Sequence, residues 1–212
     1  YKFQRTTAWA TDGVPMGGYG YPVKPNGLIC SMFRPSDDAT VFPYLVPSNW
    51  FASEVLIYLD EIAFKIFKTD KFFDGAVQIA LQIAGVIEEK ATVFIQPLNS
   101  TERRVKNVYA YEINGYGSFN FMDDANIPSL VSLPYLTKMN LKNPIYSNTR
   151  ELLFTENNPF FFKGKAAEGI GGPHCGMDMI WPMSIIMRGL TSTDDKEIKL
   201  CLDMLQKTHA DT

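Results

Sequence analysis

Residues 48–95 read SNWFASEVLIYLDEIAFKIFKTDKFFDGAVQIALQIAGVIEEKATVFI, and this stretch decides the fold of the chain. Ser48 belongs to the residue types that cap helices, so a helix is predicted from Ser48 to about Lys68. Apolar residues repeat along it at intervals of three and four, which places them on one helix face. They are Val55, Leu56, Leu59, Ile62, Ala63, Ile66 and Phe67.

A second helical pattern follows after a short connection and predicts a helix from about Asp74 to about Ile95. Its apolar face comprises Ala76, Ile79, Ala80, Ile83, Val86 and Ile87. Because only residues 69–73 separate the two helices, we expect them to pair as an antiparallel helical hairpin.

Outside this hairpin, short periodic segments alternate with long loops. Residues 1–47 contain five glycines and six prolines, a composition that predicts loop with short extended pieces. Residues 107–121 alternate in polarity around Asn114-Gly115 and predict a β-hairpin. Residues 157–174, rich in Phe and Gly, predict loop. Further helices are predicted at about 127–135, 144–154, 182–190 and 194–207.

Helical hairpins joined by long loops favour an α/α toroid, in which an inner ring of helices presents loops around a central pocket. A plain helical bundle would have shorter loops. A doubly wound α/β sheet is disfavoured because the chain has no run of βαβ units and no glycine-rich phosphate loop. The predicted fold class is therefore mainly α, with long loops and a small β-hairpin. The 212 residues fit one domain, so 1–212 is predicted as a single domain.

Composition argues against several classes of protein. Hydrophobic residues make up 46% and charged residues 20%, which is typical of a globular chain. A net charge of −3 favours neither nucleic acid nor an anionic membrane as partner, and no apolar run is long enough to span a bilayer. Cys30, Cys175 and Cys201 are too irregular for a disulfide framework or a zinc site and are predicted to be buried free thiols. With only two histidines, no metal site is expected.

Two acidic doublets, Asp37-Asp38 and Asp123-Asp124, stand beside apolar residues and prolines. Carboxylates held against apolar surface have perturbed proton affinities, which suits acid/base chemistry. The alternative that each doublet only caps a helix or a turn stays open. Adjacent side chains point in different directions, so at most one Asp of each doublet is expected to face a ligand.

The third conspicuous segment is residues 164–174, which read GKAAEGIGGPH. Its four glycines allow the backbone to approach a ligand closely. The segment matches neither a P-loop nor a dinucleotide fingerprint. His174 at its end is either a ligand-binding side chain or a loop histidine held by the backbone.

Three long segments together resemble glycoside hydrolase family 125, and the resemblance covers the chain from about Tyr1 to Thr212. They read CSMFRPSDDATVFPYLVPSNWFA, YEINGYGSFNFMDDANIPSLVSLPYL and NPFFFKGKAAEGIGGPHCGMDMIWPMSIIMRGLTSTDD, and they occur in the family's order. The resemblance implies part of an (α/α)6 barrel and an exo-acting, metal-independent α-1,6-mannosidase that needs no cofactor. Members of the family are longer, so the chain is expected to be a central-to-late fragment of the catalytic domain.

The resemblance further implies inverting hydrolysis by two carboxyl groups. It places the general acid at Asp37 or Asp38, and the residues themselves do not decide between the two. The general base is expected to be a Glu that follows Thr212. The two groups of an inverting enzyme stand about 6.5–9.5 Å apart. Such an acid must keep its proton near neutral pH, which an apolar wall or a neighbouring negative charge favours.

The remaining candidates are expected to contact an α-mannoside oligosaccharide, the only partner that the resemblance implies. Arg34 is expected to pair with the Asp that is not the acid or with a substrate hydroxyl. Asp123 or Asp124, with Asn126, either holds mannose hydroxyls or caps the next helix. His174 is placed on the side of the leaving sugar. A carbohydrate-binding or inactive fragment, or another (α/α)6-barrel glycosidase, remains an alternative, and the compartment and the choice between N-glycan and fungal mannan stay open.

Overall fold

The structure is a computed structural model that describes residues 2–68, 74–98 and 105–208. The predicted connection at 69–73 lies outside the described residues. The helices of the structure are α1 (Val46–Phe67), α2 (Asp74–Val86), α3 (Leu133–Leu136), α4 (Pro144–Leu153), α5 (Pro182–Leu190) and α6 (Asp195–Thr208). Its strands are β1 (Tyr44–Leu45), β2 (Thr92–Ile95), β3 (Lys106–Tyr109), β4 (Glu112–Ile113), β5 (Phe119–Asn120), β6 (Phe161–Lys163) and β7 (Glu168–Ile170). The predicted mainly α class is confirmed.

The helical hairpin predicted from the opening stretch is present, because α1 and α2 pack against each other. α1 begins at Val46, before the predicted cap Ser48, with Pro47 in its first turn, where a proline is well tolerated. It ends where predicted: Lys68 adopts the left-handed conformation and donates its N–H to the carbonyl of Phe64.

The second helix is shorter than predicted. α2 gives way to a π-helical turn at Ile87–Ala91, and β2 begins at Thr92. β2 pairs antiparallel with β3, Thr92 lying opposite Tyr109. The prediction of helix to Ile95 was wrong because it followed the apolar period, whereas β-branched residues from Thr92 onward favour a strand.

The predicted β-hairpin over 107–121 is also smaller. β4 and β5 form it, with Glu112 opposite Asn120, while β3 pairs with β2 instead. β1 adds to the other edge of β4, Tyr44 lying opposite Ile113. β1 and β5 thus flank β4, and a hydrogen bond from Ser36 in the loop before β1 to Asp124 after β5 joins the segments of the two acidic doublets.

Later predictions differ in their outcome. The helix predicted at 127–135 is limited to α3. Residues 127–132 form turns instead, and the N–H groups of Leu130 and Val131 in these turns donate to the Asp123 side chain. α4 is confirmed, with the Asn143 side chain accepting from the N–H groups of Ile145 and Tyr146. The predicted loop at 157–174 contains a small hairpin of β6 and β7. α5 and α6 are confirmed to within a residue at their starts.

The main core lies between the helical hairpin, the three-stranded sheet and α4. Its fully buried members include Ile83, Ile87, Tyr109, Tyr111, Leu130, Leu133 and Leu153. A smaller core joins α5 to α6 through Ile185, Cys201 and Met204. None of the described helices combines the length and apolar character needed to cross a membrane.

Part of the predicted burial does not occur. On α1 the apolar stripe buries Ala63 but leaves Ile62 and Ile66 exposed, and Phe64 beside it is exposed too. All three cysteines are free, but only Cys201 is buried, Cys175 being half-buried and Cys30 exposed.

Candidate active site

A cavity of about 360 Å³ opens where the loop before β1 meets the segment after β5 and the loop after β7. This volume lies within the range of small-molecule sites. Its walls include Tyr21, Arg34, Asp38, Met122, Phe160 and Pro173. Asp38 is the only acidic side chain among the described residues that line the cavity.

The loop that carries the first doublet turns its two carboxylates in opposite directions. The N–H of Arg34 donates to the carbonyl of Asp38 at 2.8 Å, and the N–H of Asp37 donates to the carbonyl of Arg34 at 3.0 Å. This tight turn gives Asp37 a φ of 69° and leaves it exposed. Asp38 is fully buried in the cavity wall. Of the two candidates for the general acid, Asp38 is therefore the one at the cavity.

Asp38 binds one donor and has two further polar neighbours. Its Oδ2 accepts a hydrogen bond from Ser36 Oγ at 2.9 Å, whereas its buried Oδ1 has no hydrogen-bond partner. His174 Nδ1 lies 3.6 Å from that Oδ1, and the His174 side chain is 43% exposed. Asp12 reaches the same place, since one ligating atom each of Asp12, Asp38 and His174 lie within 4.8 Å of one another.

Asp123 serves the backbone. Its Oδ1 accepts from the N–H of Leu130 at 2.8 Å and its Oδ2 from the N–H of Val131 at 3.0 Å. Burial raises the pKa of Asp123 to about 8, although these two N–H groups act to lower it. Its contacts correspond to the capping alternative, in which both carboxylate oxygens bind the protein.

Asp124 joins the first doublet to the second. Its Oδ2 accepts from Ser36 Oγ at 3.0 Å, and its Oδ1 accepts from both the backbone N and the Nδ2 of Asn126 at 2.9 Å. The side chain is buried. Asn126 therefore supports Asp124, and Asp124 reaches Asp38 through a single hydroxyl.

Arg34 pairs with neither Asp of its own doublet, so of its two predicted partners only a substrate hydroxyl is left open. Its Nε donates to Glu112 Oε1 at 2.7 Å, and both side chains are buried. Glu112 Oε2 also accepts from the N–H groups of Val41 and Phe42 and from Asn120 Nδ2. Burial acts to lower the pKa of Arg34, but the hydrogen bond and charge of Glu112 prevail and raise it.

The glycine-rich segment lies against protein groups. A Cβ on Gly172 would lie 3.0 Å from the carboxylate of Asp124, and one on Gly171 would lie 1.9 Å from the carbonyl oxygen of Met179. The N–H of Ala125 donates to the carbonyl of Gly171 at 2.9 Å. The predicted close approach of the backbone is thus to Asp124 and Met179, and it brings His174 to Asp38.

Three residues of the site escaped sequence reasoning. Glu112 carried a signal, since the alternating pattern places it on the same face as the apolar residues Val108 and Ala110. Ser36 lies inside the first doublet's own segment, and only its contacts reveal it. Asp12 lies in a short 3-10 turn of the N-terminal loop, where no periodicity indicates what it faces.

Comparison with known proteins gives matches to a family model, to a protein sequence and to solved structures. The model of a family described as metal-independent alpha-mannosidase (GH125) matches residues 1–212. The "Meiotically up-regulated gene 157 protein" of Schizosaccharomyces pombe is 40% identical over 217 residues, which cover 99% of this chain and 40% of that protein.

One matching solved structure is from Streptococcus pneumoniae. It is described as a metal-independent alpha mannosidase in a non-productive substrate complex with alpha-1,6-mannobiose. It superimposes with a TM-score of 0.85 at 33% identity, covering 97% of this chain and 47% of that one. The chain thus spans less than half the length of these relatives.

Proposed function

Because the chain belongs to glycoside hydrolase family 125, we propose that it carries the acid side of an α-mannosidase active site, with Asp38 as the general acid. The family resemblance carried by the three sequence segments is confirmed, as is the (α/α)6 type of fold. One observation carries the assignment: Asp38 is the only acidic residue among the described cavity-lining residues, and it is fully buried.

The proposed reaction is the exo-acting, inverting hydrolysis of α-1,6-linked mannosides. The Asp38 carboxyl transfers its proton to the glycosidic oxygen as the bond from that oxygen to the anomeric carbon breaks. A second carboxylate takes a proton from water, and the water oxygen attacks the anomeric carbon from the opposite face. The products are free mannose and the shortened mannoside, and an exchange of protons with solvent restores both carboxyl groups.

The second carboxylate is not Asp12, although Asp12 is near. Its ligating atom lies within 4.8 Å of that of Asp38, which is too close for the water of an inverting enzyme, whose carboxyl groups stand about 6.5–9.5 Å apart. The oxygens of Asp123 and Asp124 are engaged by protein donors. We therefore propose that the base is a Glu that follows Thr212 in the whole protein, as the family resemblance implies.

The other cavity residues suit a sugar. Met122, Phe160 and Pro173 offer apolar surface to the ring faces, and Tyr21 adds an aromatic ring with a hydroxyl. We propose that Arg34 contacts mannose hydroxyls and that the half-exposed His174 lies on the side of the leaving sugar. The alpha-1,6-mannobiose complex of the Streptococcus pneumoniae protein supports a mannoside as the ligand.

Three predicted site residues take other roles in this proposal. Asp123 holds the backbone before α3, and Asn126 holds Asp124. Asp37 is exposed on the far side of its turn from Asp38. We propose that none of these three residues touches the sugar.

The proposal is tested with Asp38→Asn in the full-length protein, with Asp37→Asn as the matched control. Loss of a general acid lowers kcat for α-1,6-mannobiose by about 10²- to 10⁴-fold, whereas the exposed Asp37 should be replaceable. α-Mannosyl fluoride needs little protonation of its leaving group, so Asp38→Asn should retain most of its activity on that substrate. Equal losses on both substrates would exclude Asp38 as the acid. NMR of the first-formed mannose anomer tests inversion.

A metal ion has no part in this mechanism. Asp12, Asp38 and His174 are the described residues grouped closely enough to hold a cation. A coordinating carboxylate must be ionised, whereas a general acid must carry its proton, so the two uses of Asp38 exclude each other. We predict that treatment with a chelator leaves kcat/KM on α-1,6-mannobiose unchanged. Loss of activity that is restored by added metal would contradict the metal-free reaction.

A further inference from the structure

Ser36 lies between two buried carboxyl groups and contacts both. Its Oγ is 2.9 Å from Asp38 Oδ2 and 3.0 Å from Asp124 Oδ2, and all three side chains are buried. A hydroxyl has a single proton to donate, and an ionised carboxylate can only accept. If both carboxylates were ionised, one of the two contacts would bring a lone pair of Ser36 Oγ against a lone pair of a carboxylate oxygen, with no proton between them. The two contacts are both hydrogen bonds only when one carboxyl group carries a proton.

The other oxygens of the two groups decide which carboxyl carries it. Asp124 Oδ1 accepts two N–H donors from Asn126, and donors of this kind stabilise the ionised form. Asp38 Oδ1 is buried and receives no hydrogen bond. An ionised carboxylate with a bare buried oxygen is costly, whereas the neutral acid is tolerated. The proton therefore resides on Asp38, which donates to Ser36, and Ser36 donates to Asp124.

The charged neighbours of Asp38 act in both directions. A protonated His174, whose Nδ1 lies 3.6 Å from Asp38 Oδ1, would favour the ionised carboxylate, whereas Asp12 favours retention of the proton. Asp12 adds a carboxylate within 4.8 Å on the His174 side, and its charge opposes a second negative charge on Asp38. Burial first, and then the charge of Asp124, raises the pKa of the Cys175 thiol. The thiol therefore stays neutral and adds no charge beside the carboxyl pair.

The Asp124 side of the pair is similar. Burial and the charges of Asp124 and Asp123 raise the pKa of Tyr111 well above its ordinary value, so the Tyr111 hydroxyl stays neutral. The guanidinium of Arg34 is engaged at 2.7 Å by Glu112. Arg34 therefore already balances one buried carboxylate, and a single proton shared by Asp38 and Asp124 spares the site a further negative charge.

We propose that Ser36 and Asp124 are positioning residues for the general acid, which hold the single proton of the buried carboxyl pair on Asp38 until the leaving group takes it. For the transfer, the Asp38 O–H turns from Ser36 to the leaving oxygen. As that O–H bond breaks and the new O–H bond forms on the leaving sugar, the Ser36 hydroxyl rotates. It then donates to the newly ionised Asp38 instead of Asp124. This inference rests on the proposed function, since it assumes that Asp38 is the acid.

Asp124→Asn in the full-length protein tests the placement of the proton. The amide lacks the negative charge and can donate Nδ2–H to Ser36 Oγ, which leaves the Ser36 proton for Asp38 and favours ionised Asp38. The alkaline limb of the kcat/KM profile on α-1,6-mannobiose should move to lower pH by about 1 unit or more. A structural role alone would lower activity uniformly and leave the limb in place, and that result would overturn the proposal.

Ser36→Ala tests the hydroxyl, with Ser36→Thr as the variant that restores it. Loss of one hydrogen bond to an ionised group should lower kcat on α-1,6-mannobiose by about 10- to 100-fold, while α-mannosyl fluoride is affected much less. Ser36→Thr should recover most of the loss. If Ser36→Ala does not fold, the Asp124→Asn profile still decides. An unshifted profile beside an inactive Asp38→Asn overturns this inference alone, whereas an active Asp38→Asn overturns the proposed function itself.

Discussion

Asp123 and Asp124 are adjacent in sequence and both are buried, yet their oxygens bind different groups. Asp123 accepts two backbone N–H groups, and Asp124 accepts from Ser36 and Asn126. Successive side chains on an extended backbone point to opposite sides, so one member of such a doublet holds the chain while the other reaches the site. Asp37 and Asp38 divide in a similar way, one lying exposed and the other at the cavity.

Asp123 should make stability depend on pH. Burial raises its pKa to about 8 in the folded chain, against 3.8 as the ordinary value. Between these values the folded state binds more protons than the unfolded state, so the contribution is complete below about pH 4 and is lost as pH rises to about 8. Within that window the free energy of unfolding should fall by about 1 kcal/mol per pH unit relative to Asp123→Asn. Urea unfolding of both full-length proteins from pH 5 to pH 8 measures this, and parallel curves would contradict it.

The sequence predicted that buried carboxyl groups would form the candidate site, but it did not predict how they are arranged. The apolar surroundings of both doublets indicated buried carboxyl chemistry, and buried Asp38 and Asp124 agree with it. The choice of Asp38 over Asp37 depends on a turn with a φ of 69°, which no side-chain pattern encodes. The partner of Arg34 is 78 positions away at Glu112, and only the pairing of β1 with β4 brings the two together.

Elements with local signals were predictable, and elements defined by distant partners were not. α4 follows from Asn143 as cap and Pro144 in the first turn, and α5 likewise begins at a proline. β2 forms by pairing with β3, which lies further along the chain. In the sequence, the apolar residues of β2 continue the helical period of α2. The helix predicted at 127–135 failed because Asp123 captures the N–H groups of Leu130 and Val131.

The loop after β7 should tolerate an added methyl group at Gly171 poorly. A Cβ on Gly171 would lie 1.9 Å from the Met179 carbonyl oxygen, so Gly171→Ala must push two backbone segments apart. We expect a loss of about 1–3 kcal/mol or more in stability, and lower kcat, because Gly171 also anchors the segment that carries Asp124. Gly164→Ala is the matched control, since its nearest neighbour is the Ala167 carbonyl oxygen at 3.3 Å. Thermal unfolding and kcat of the full-length variants measure this, and equal effects of the two substitutions would contradict it.

At the scale of the whole molecule, the outer face of the helical hairpin is the feature that the fold leaves unexplained. Exposed apolar residues recur on α1 at intervals of three and four, which places them on one helix face: Val55, Leu59, Ile62 and Ile66. Soluble proteins rarely expose a contiguous apolar face of this kind without a partner for it. The relatives are more than twice as long as the matched region, which covers 40% and 47% of them. We therefore keep the prediction that residues 1–212 form part of a larger (α/α)6 domain.

If the rest of the domain buries this face, Ile62→Glu should destabilise the longer protein but not the 212-residue chain alone. In a longer protein that contains this chain, a charge forced into an apolar interface should cost about 2–5 kcal/mol, seen as a lower Tm and a lower refolding yield. In the 212-residue chain alone, where Ile62 is 52% exposed, the same change should alter the free energy of unfolding by no more than about 0.5 kcal/mol and improve solubility. Lys65→Glu, on an exposed position of the same helix, controls for the added negative charge and should be near neutral in both. If Ile62→Glu were neutral in the longer protein as well, the face would be in water there too, and the hairpin would have to occupy the outside of the domain.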